Sequence, residues 1–209
     1  MCPRDVTLEV GDKNFPGRLN VPDRSSEHGV LMVPGSGHGP FGDIFLRFAR
    51  TAAKDGHHVA RFETWPFPEV LEEKTEEDFS REIDASVDFL QSQGCSTVTV
   101  VAKSFGGRVV LEHLPETVDR LVLWAPAIMA GDYEEKPSLT EEELADIDIP
   151  VRILQGDEDE VVSVENAASL VDGLPNGELV ELSGENHSFR GDYERIIDET
   201  MAFLPDQPS

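Results

Sequence analysis

Residues 98–110, Val-Thr-Val-Val-Ala-Lys-Ser-Phe-Gly-Gly-Arg-Val-Val, constrain the fold more than any other stretch. Val98, Val100 and Val101 make an apolar, β-branched run that stops at Ala102, and Ser104 follows, then Gly106 and Gly107, then a segment suited to a helix. A continuous apolar strand is one buried on both faces, as in a parallel sheet. A serine between such a strand and a helix sits on a tight turn at the carboxyl edge of the sheet, a nucleophile elbow. That turn strains the serine backbone and draws helix and strand together, so the residues two before and two after must be small. Ala102 and Gly106 meet the demand, giving Ala-x-Ser-x-Gly. An ordinary strand-to-helix turn capped by serine looks the same over this stretch alone, so the rest of the chain must decide.

Along the chain, 6–10 and 17–21 read as short strands around a turn at 12–16, a hairpin for a sheet edge. Residues 29–33 form an apolar strand running into Pro34-Gly-Ser-Gly-His-Gly-Pro40. Phe41, Phe45, Leu46, Phe48, Ala49, Ala52 and Ala53 recur at helical spacing, predicting a helix over 41–55 stopped by Gly56. Further strands are expected at 58–62, 97–102, 120–124, 151–155 and 178–182, and helices at 75–93, 104–114, 163–173 and 192–204. Residues 63–70 read as a loop, and the acidic segment 129–149 is the one long insertion. Strands alternating with helices over short connections mean an α/β fold, one doubly wound and mostly parallel sheet with helices on both faces. The 209 residues suit a single domain, 1–209, with a sizeable core.

In an open parallel sheet, reactive groups gather at the carboxyl ends of the strands. Gly35, Ser36 and Gly37 follow one strand, Ser104 the next, Gly-Asp-Glu-Asp-Glu160 a third and Ser-Gly-Glu-Asn-His187 the last. The chain order is therefore serine, acid, histidine. A serine hydroxyl is a weak nucleophile until a base takes its proton, and a histidine does this near neutral pH. A carboxylate must then hold the imidazole in one tautomer. Asp159 is the preferred acid, because Gly156 lets the chain turn and Asp159 reaches back over the sheet edge; Asp157 is the alternative. A developing oxyanion needs preorganised donors worth roughly 3–4 kcal/mol each. The backbone N–H groups of Phe105 and Ser36 are the expected pair.

Other features compete for a role. His57 and His58 precede a strand, at the wrong edge; His28 lies in a polar loop and His113 on the helix behind the elbow. Lys103 and Arg108 flank the elbow, where surface or salt-bridge roles are preferred over shaping a pocket. Gly37-His-Gly39-Pro-Phe-Gly42 matches Gly-x-Gly-x-x-Gly, which would bind a dinucleotide. That motif starts several residues past its strand, and Pro40 and Phe41 would crowd the close packing its third glycine exists to allow. No cofactor and no metal are expected.

Charge narrows the partners. There are 42 Asp plus Glu against 17 Lys plus Arg, a formal −25, spread through segments that keep core periodicity. Such a chain is a poor fit to nucleic acid or an anionic membrane. An acidic surface with only five lysines suits molar salt, where screening contracts to about 3 Å, so a halophilic source is expected. Cys2 and Cys95, far apart, make neither a disulfide framework nor a metal site. No run reaches transmembrane length and the first residues lack the apolar core of a signal peptide, so a cytoplasmic location is expected.

Residues 30–39, 53–62, 103–108 (Lys-Ser-Phe-Gly-Gly-Arg), 156–159 (Gly-Asp-Glu-Asp) and 186–189 (Asn-His-Ser-Phe) resemble the α/β-hydrolase superfamily. Within it the chain is most similar to the small, lid-poor dienelactone-hydrolase-like branch that includes the KANL/TEX-type proteins. Two positions depart from the usual pattern: the oxyanion turn opens with Pro34-Gly35 in place of His-Gly, and the elbow opens with Ala102. The catalytic cysteine of true dienelactone hydrolases is replaced by Ser104. The resemblance implies a serine hydrolase of a small carboxylic ester or thioester, with an acyl-serine intermediate. Because some relatives are adaptor-like, a non-catalytic binding or scaffold role is the alternative. Family lids often enter after the strand ending at Trp124, and here that slot holds only 129–149, so an open cleft suited to short acyl groups is expected. Gly35, Gly37, His38, Trp65 and Trp124 are its candidate substrate contacts, with Phe67 and Ile128 as further wall candidates. The oligomeric state is left open.

Overall fold

The computed structural model of the chain describes residues 3–37, 39–132 and 137–206. Cys2 and His38 lie outside the described residues, as do 133–136 of the acidic insertion. Eight strands form one sheet: β1 (Arg4–Val10), β2 (Lys13–Asn20), β3 (His28–Val33), β4 (His58–Phe62), β5 (Thr97–Lys103), β6 (Arg120–Trp124), β7 (Val151–Gly156) and β8 (Gly177–Leu182). Their order is β1-β2-β4-β3-β5-β6-β7-β8. β3 to β8 run parallel, while β1 and β2 add an antiparallel edge against β4.

Period-two alternation divides the strand side chains between two cores. Leu31, Val33, Val98, Val100, Leu121, Leu123 and Ile153 face one way, onto α3 (Glu76–Ser92), α4 (Phe105–Glu112), α5 (Glu141–Ala145) and α6 (Val164–Gly173). Val30, Met32, Val101, Val122, Trp124 and Leu154 face the other, onto α1 (Asp43–Asp55) and α7 (Tyr193–Met201). This is the α/β-hydrolase fold. Between β6 and β7 the described residues hold only the five-residue α5. No helix among the described residues is long and apolar enough to cross a membrane.

The differences from the sequence reading are local and have causes. The hairpin turn is only Gly11-Asp12, with Gly11 at φ +60°, so β2 begins at Lys13 and not at Gly17. Pairing with β1 (Leu8 to Phe15, Thr7 to Pro16) carries these residues into the strand. Pro16, which lacks an N–H, precedes the point where β2 starts pairing with β4 at Gly17. Within the expected loop at 63–70, Pro68 starts a short helix, α2 (Pro68–Glu72), because its fixed φ suits a first helical position. α5 rises inside the acidic insertion on a capping box between Thr140 and Glu143. The helix expected from Phe41 begins at Asp43, after Gly42. His28 opens β3 and does not sit in a loop.

Small residues at the elbow are a packing requirement. A Cβ on Gly106 would overlap the Pro34 carbonyl and press on Val33. Gly106→Ala is therefore expected to lower stability by about 2–3 kcal/mol, although alanine in a helix interior is otherwise favoured by about 1 kcal/mol. Urea unfolding checks this. A midpoint at or above that of the wild type would show that strand and helix separate without cost.

Candidate active site

β5 delivers Ser104 into the turn before α4 at φ 52° and ψ −124°, a backbone conformation that side chains disfavour. Three hydrogen bonds hold it there. The Ser104 amide donates to the Trp124 carbonyl at 2.9 Å, and the Ser104 carbonyl accepts from the amides of Gly107 at 2.9 Å and Ala127 at 3.2 Å. The hydroxyl is thus presented at the carboxyl edge of the sheet.

The turn after β7 supplies Asp159, whose side chain is fully buried. Its Oδ1 accepts from the amides of Val161 at 2.8 Å and Val162 at 2.9 Å. Its Oδ2 lies 2.9 Å from His187 Nδ1 and accepts from Gln155 Nε2 at 3.0 Å. His187 Nε2 is in turn 3.0 Å from Ser104 Oγ. Burial by itself would push the Asp159 carboxyl up. The hydrogen bonds from His187, Val162 and Val161, with the imidazole charge, outweigh it and hold the group below its ordinary value. Asp157 takes another part: its Oδ1 accepts from the Gly184 amide at 2.6 Å and so steadies the loop that carries the histidine.

That loop depends on groups the sequence reading missed. Glu185, 2% exposed, accepts from the Gly191 amide at 3.0 Å and also from that of Asp192. Its own carbonyl accepts from Glu158 N at 3.0 Å and sits where a Cβ on Gly156 would be. Gln155 is fully buried and donates to Val162 O at 2.8 Å as well as to Asp159. A glutamine directly after the apolar pair Ile153-Leu154 at the end of a strand was the available signal for it. Glu185 had none, one acid among many in this chain.

On the other side of Ser104 lies the glycine-rich turn after β3. A Cβ on Gly35 would stand 3.2 Å from Ser104 Cβ, so the two backbones are in close contact. The turn is braced from beneath. Trp65 Nε1 donates to Gly35 O at 3.1 Å, and buried Arg61 donates to Pro40 O at 3.3 Å and Asn20 Oδ1 at 3.1 Å. Ser104, His187, Gly35, Ser36, Gly37 and Lys103 share the wall of an open cleft of about 640 Å³. Gly39 and Gly42 of the dinucleotide-like motif line the same cleft, and the Glu63 carboxylate packs where a Cβ on Gly39 would be.

The expected aromatic walls require correction. Trp65 is 2% exposed and stacks edge-on with Phe79, while Trp124 is fully buried and donates from Nε1 to Thr200 Oγ1 at 2.9 Å. Neither lines the cleft: Trp65 packs in the core on one face of the sheet and Trp124 in the core on the other. Ile128 is likewise core and Phe67 is solvent-exposed. His38 lies outside the described residues. Arg108 is buried and pairs with Glu112 at 2.8 Å, whereas Lys103 lies on the cleft wall and in no salt bridge among the described residues. Among the described residues, the one group of side chains close enough to share a metal ion is Glu76, Glu112 and His113, and none of them lines the cleft.

Comparison with known proteins agrees with this architecture. Est1E from Butyrivibrio proteoclasticus superposes with a TM-score of 0.82 at 16% identity, over 95% of this chain and 96% of that one. A dienelactone hydrolase from Anabaena variabilis gives 0.79 at 18%, over 98% and 100%. XC6422 from Xanthomonas campestris, described as a serine hydrolase without a lid, gives 0.73 at 17%, over 100% and 98%. No curated protein shows significant sequence similarity to the chain. The family model for the alpha/beta hydrolase domain matches residues 26–198, most of the sheet and every strand end discussed above, and the chain belongs to that family.

Proposed function

We propose that this chain hydrolyses a carboxylic ester or thioester through an acyl-serine at Ser104. One observation carries the reading: hydroxyl, imidazole and carboxylate stand in a continuous line, with separations of 3.0 and 2.9 Å. With its Nδ1 proton donated to Asp159, His187 has Nε2 available to take the Ser104 proton as Oγ attacks the substrate carbonyl carbon. The tetrahedral intermediate collapses, the C–O or C–S bond breaks, and His187 returns the proton to the leaving alcohol or thiol. Water then repeats the sequence in reverse, releasing the acid and restoring Ser104. The amides of Ser36 and Phe105, on either side of the nucleophile, are the oxyanion donors in this scheme.

The ester bond is carried over from neighbours described as a cold-adapted esterase and as a dienelactone hydrolase, and from Est1E, described with ferulic acid bound. Ile44, Phe45, Val161 and Tyr193 give the cleft an apolar side. Its openness, with only the short α5 described in the slot where family lids enter, nevertheless favours short or surface-presented acyl groups, as in the small dienelactone-hydrolase-like and KANL/TEX-type proteins. A fluorophosphonate is expected to modify Ser104, located by peptide mass spectrometry, and short-chain nitrophenyl esters should outpace long-chain ones. A folded wild type that takes no label favours a binding or scaffold role instead.

The same reading places the protein in a salt-rich cytoplasm, since a charge of −25 repels itself most when unscreened. Its melting temperature is expected to rise from low to molar KCl. Full stability at low salt would remove this part of the proposal.

A further inference from the structure

We propose that the substrate carries a negatively charged oxygen group, a carboxylate or phosphate, which Lys103 receives beside the reacting ester. The inference rests on the hydrolase reading above and adds a substrate class to it. Acidic residues outnumber basic ones 42 to 17 in the chain, yet the cleft wall reverses that balance. Lys103 and Arg190 line it, and Asp43 is the only carboxylate on it among the described residues.

Lys13, Arg18, Lys74, Arg81, Arg108 and Arg152 each pair with a carboxylate. Among the described residues no ion pair or hydrogen bond holds the Lys103 ammonium or the Arg190 guanidinium. Lys103 closes β5 next to Ser104, so the chain itself keeps the cation beside the nucleophile. Its Nζ lies 5.8 Å from the centroid of the buried Phe189 ring. Burial pushes the ammonium down to about 8, with the Asp159 charge opposing. Asp159 comes from the turn after β7, His187 and Arg190 from the loop before α7, Tyr193 from the start of α7, and Asp43 from α1; among the described residues these are the other charged or titratable groups around it. A part-buried ammonium with no counter-ion is costly. An anionic group on the substrate supplies the missing partner, and a charge-assisted contact there orients the ester against Ser104.

Two ester pairs test the proposal. The hemisuccinate of 4-nitrophenol against 4-nitrophenyl butyrate puts the charge on the acyl side. 4-Acetoxybenzoate against its methyl ester puts it on the alcohol side. For each ester kcat/KM is divided by its hydroxide hydrolysis rate, and anionic-to-neutral ratios are compared at constant ionic strength. In one pair the wild-type ratio is expected to exceed one by about tenfold at pH 7 and to fall by a similar factor in Lys103→Met. Lys103→Arg should restore part of it, and Arg190→Gln should reduce it less. The wild-type ratio should also decline as pH rises through about 8, a readout that needs no substitution and stands even where Lys103→Met does not fold. A lysine serving only to brace Asp159 would move all esters alike. Competition by succinate and by inorganic phosphate tells a carboxylate site from a phosphate site. Ratios at or below one in both pairs, or ratios unmoved by Lys103→Met, overturn the proposal. If no ester turns over and Ser104 takes no fluorophosphonate, the hydrolase reading fails by itself. Calorimetric titration of succinate then decides: binding lost in Lys103→Met supports the anion site, and no binding to the wild type overturns it.

Discussion

Ser104→Ala is expected to reduce kcat on a short-chain ester on the order of 10⁶-fold, as when a nucleophile of this kind is removed. The protein should stay folded. Alanine loses one hydrogen bond to His187 on the cleft wall, worth about 1 kcal/mol, and it keeps the three backbone hydrogen bonds that hold residue 104 in place. A companion variant separates chemistry from strain. At φ 52° the serine backbone occupies a region that glycine enters freely. Ser104→Gly is therefore expected to be as inactive as Ser104→Ala but more stable than it by about 1 kcal/mol. Initial rates and urea midpoints of both variants, read together, check the pair. Retention of more than a few per cent of wild-type turnover in Ser104→Ala, after exclusion of contaminating esterase, would remove Ser104 from the mechanism.

The second large effect separates two neighbouring acids. Asp159→Asn is expected to lower kcat by about 10⁴-fold, with Asp157→Asn staying within a few-fold of wild type. The hydrogen-bond pattern gives the reason. Oδ1 of Asp159 accepts from the amides of Val161 and Val162, so an asparagine there must keep its oxygen on that side. Its NH₂ then points at His187 Nδ1 and at the Gln155 side-chain NH₂. The imidazole must answer with Nδ1 as acceptor, which puts its proton on Nε2 and leaves nothing to take the proton from Ser104. Asparagine at 157 still offers an oxygen to the Gly184 amide, so the histidine loop keeps its tether. Steady-state kinetics on one ester suffices for both variants. Equal losses at the two positions would mean that geometry of the whole turn, and not the carboxylate on the imidazole, sets the rate.

Much of this molecule was legible in one dimension, for physical reasons. Two-sided burial of a parallel strand leaves a run of β-branched residues, and the sheet at 98–102 announced itself that way. Close approach of α4 to the sheet admits no side chain at Gly106, so a glycine had to follow Ser104. Helix starts were marked by local chemistry, as in Thr75 with Asp78. The start of β2 is not written in its own residues, because pairing with a neighbouring strand, not residue preference, makes Lys13 to Pro16 extended. Nor does the sequence place the aromatic residues, because size and apolarity do not say which way a side chain faces. Trp65 serves as a brace under Gly35 and Trp124 as core.

By itself the sequence determined the alternation of strands and helices, and the order in which serine, acid and histidine leave the strand ends. Both are read from contiguous residues whose spacing and size the backbone dictates. Only the tertiary structure decided which of two aspartates meets His187, that Gln155 and Glu185 hold the acid and histidine turns, and that Lys103 stands on the cleft wall with no counter-ion among the described residues. Those are contacts between residues far apart in the chain, set by side-chain direction and burial after the sheet has closed, and no local pattern encodes them.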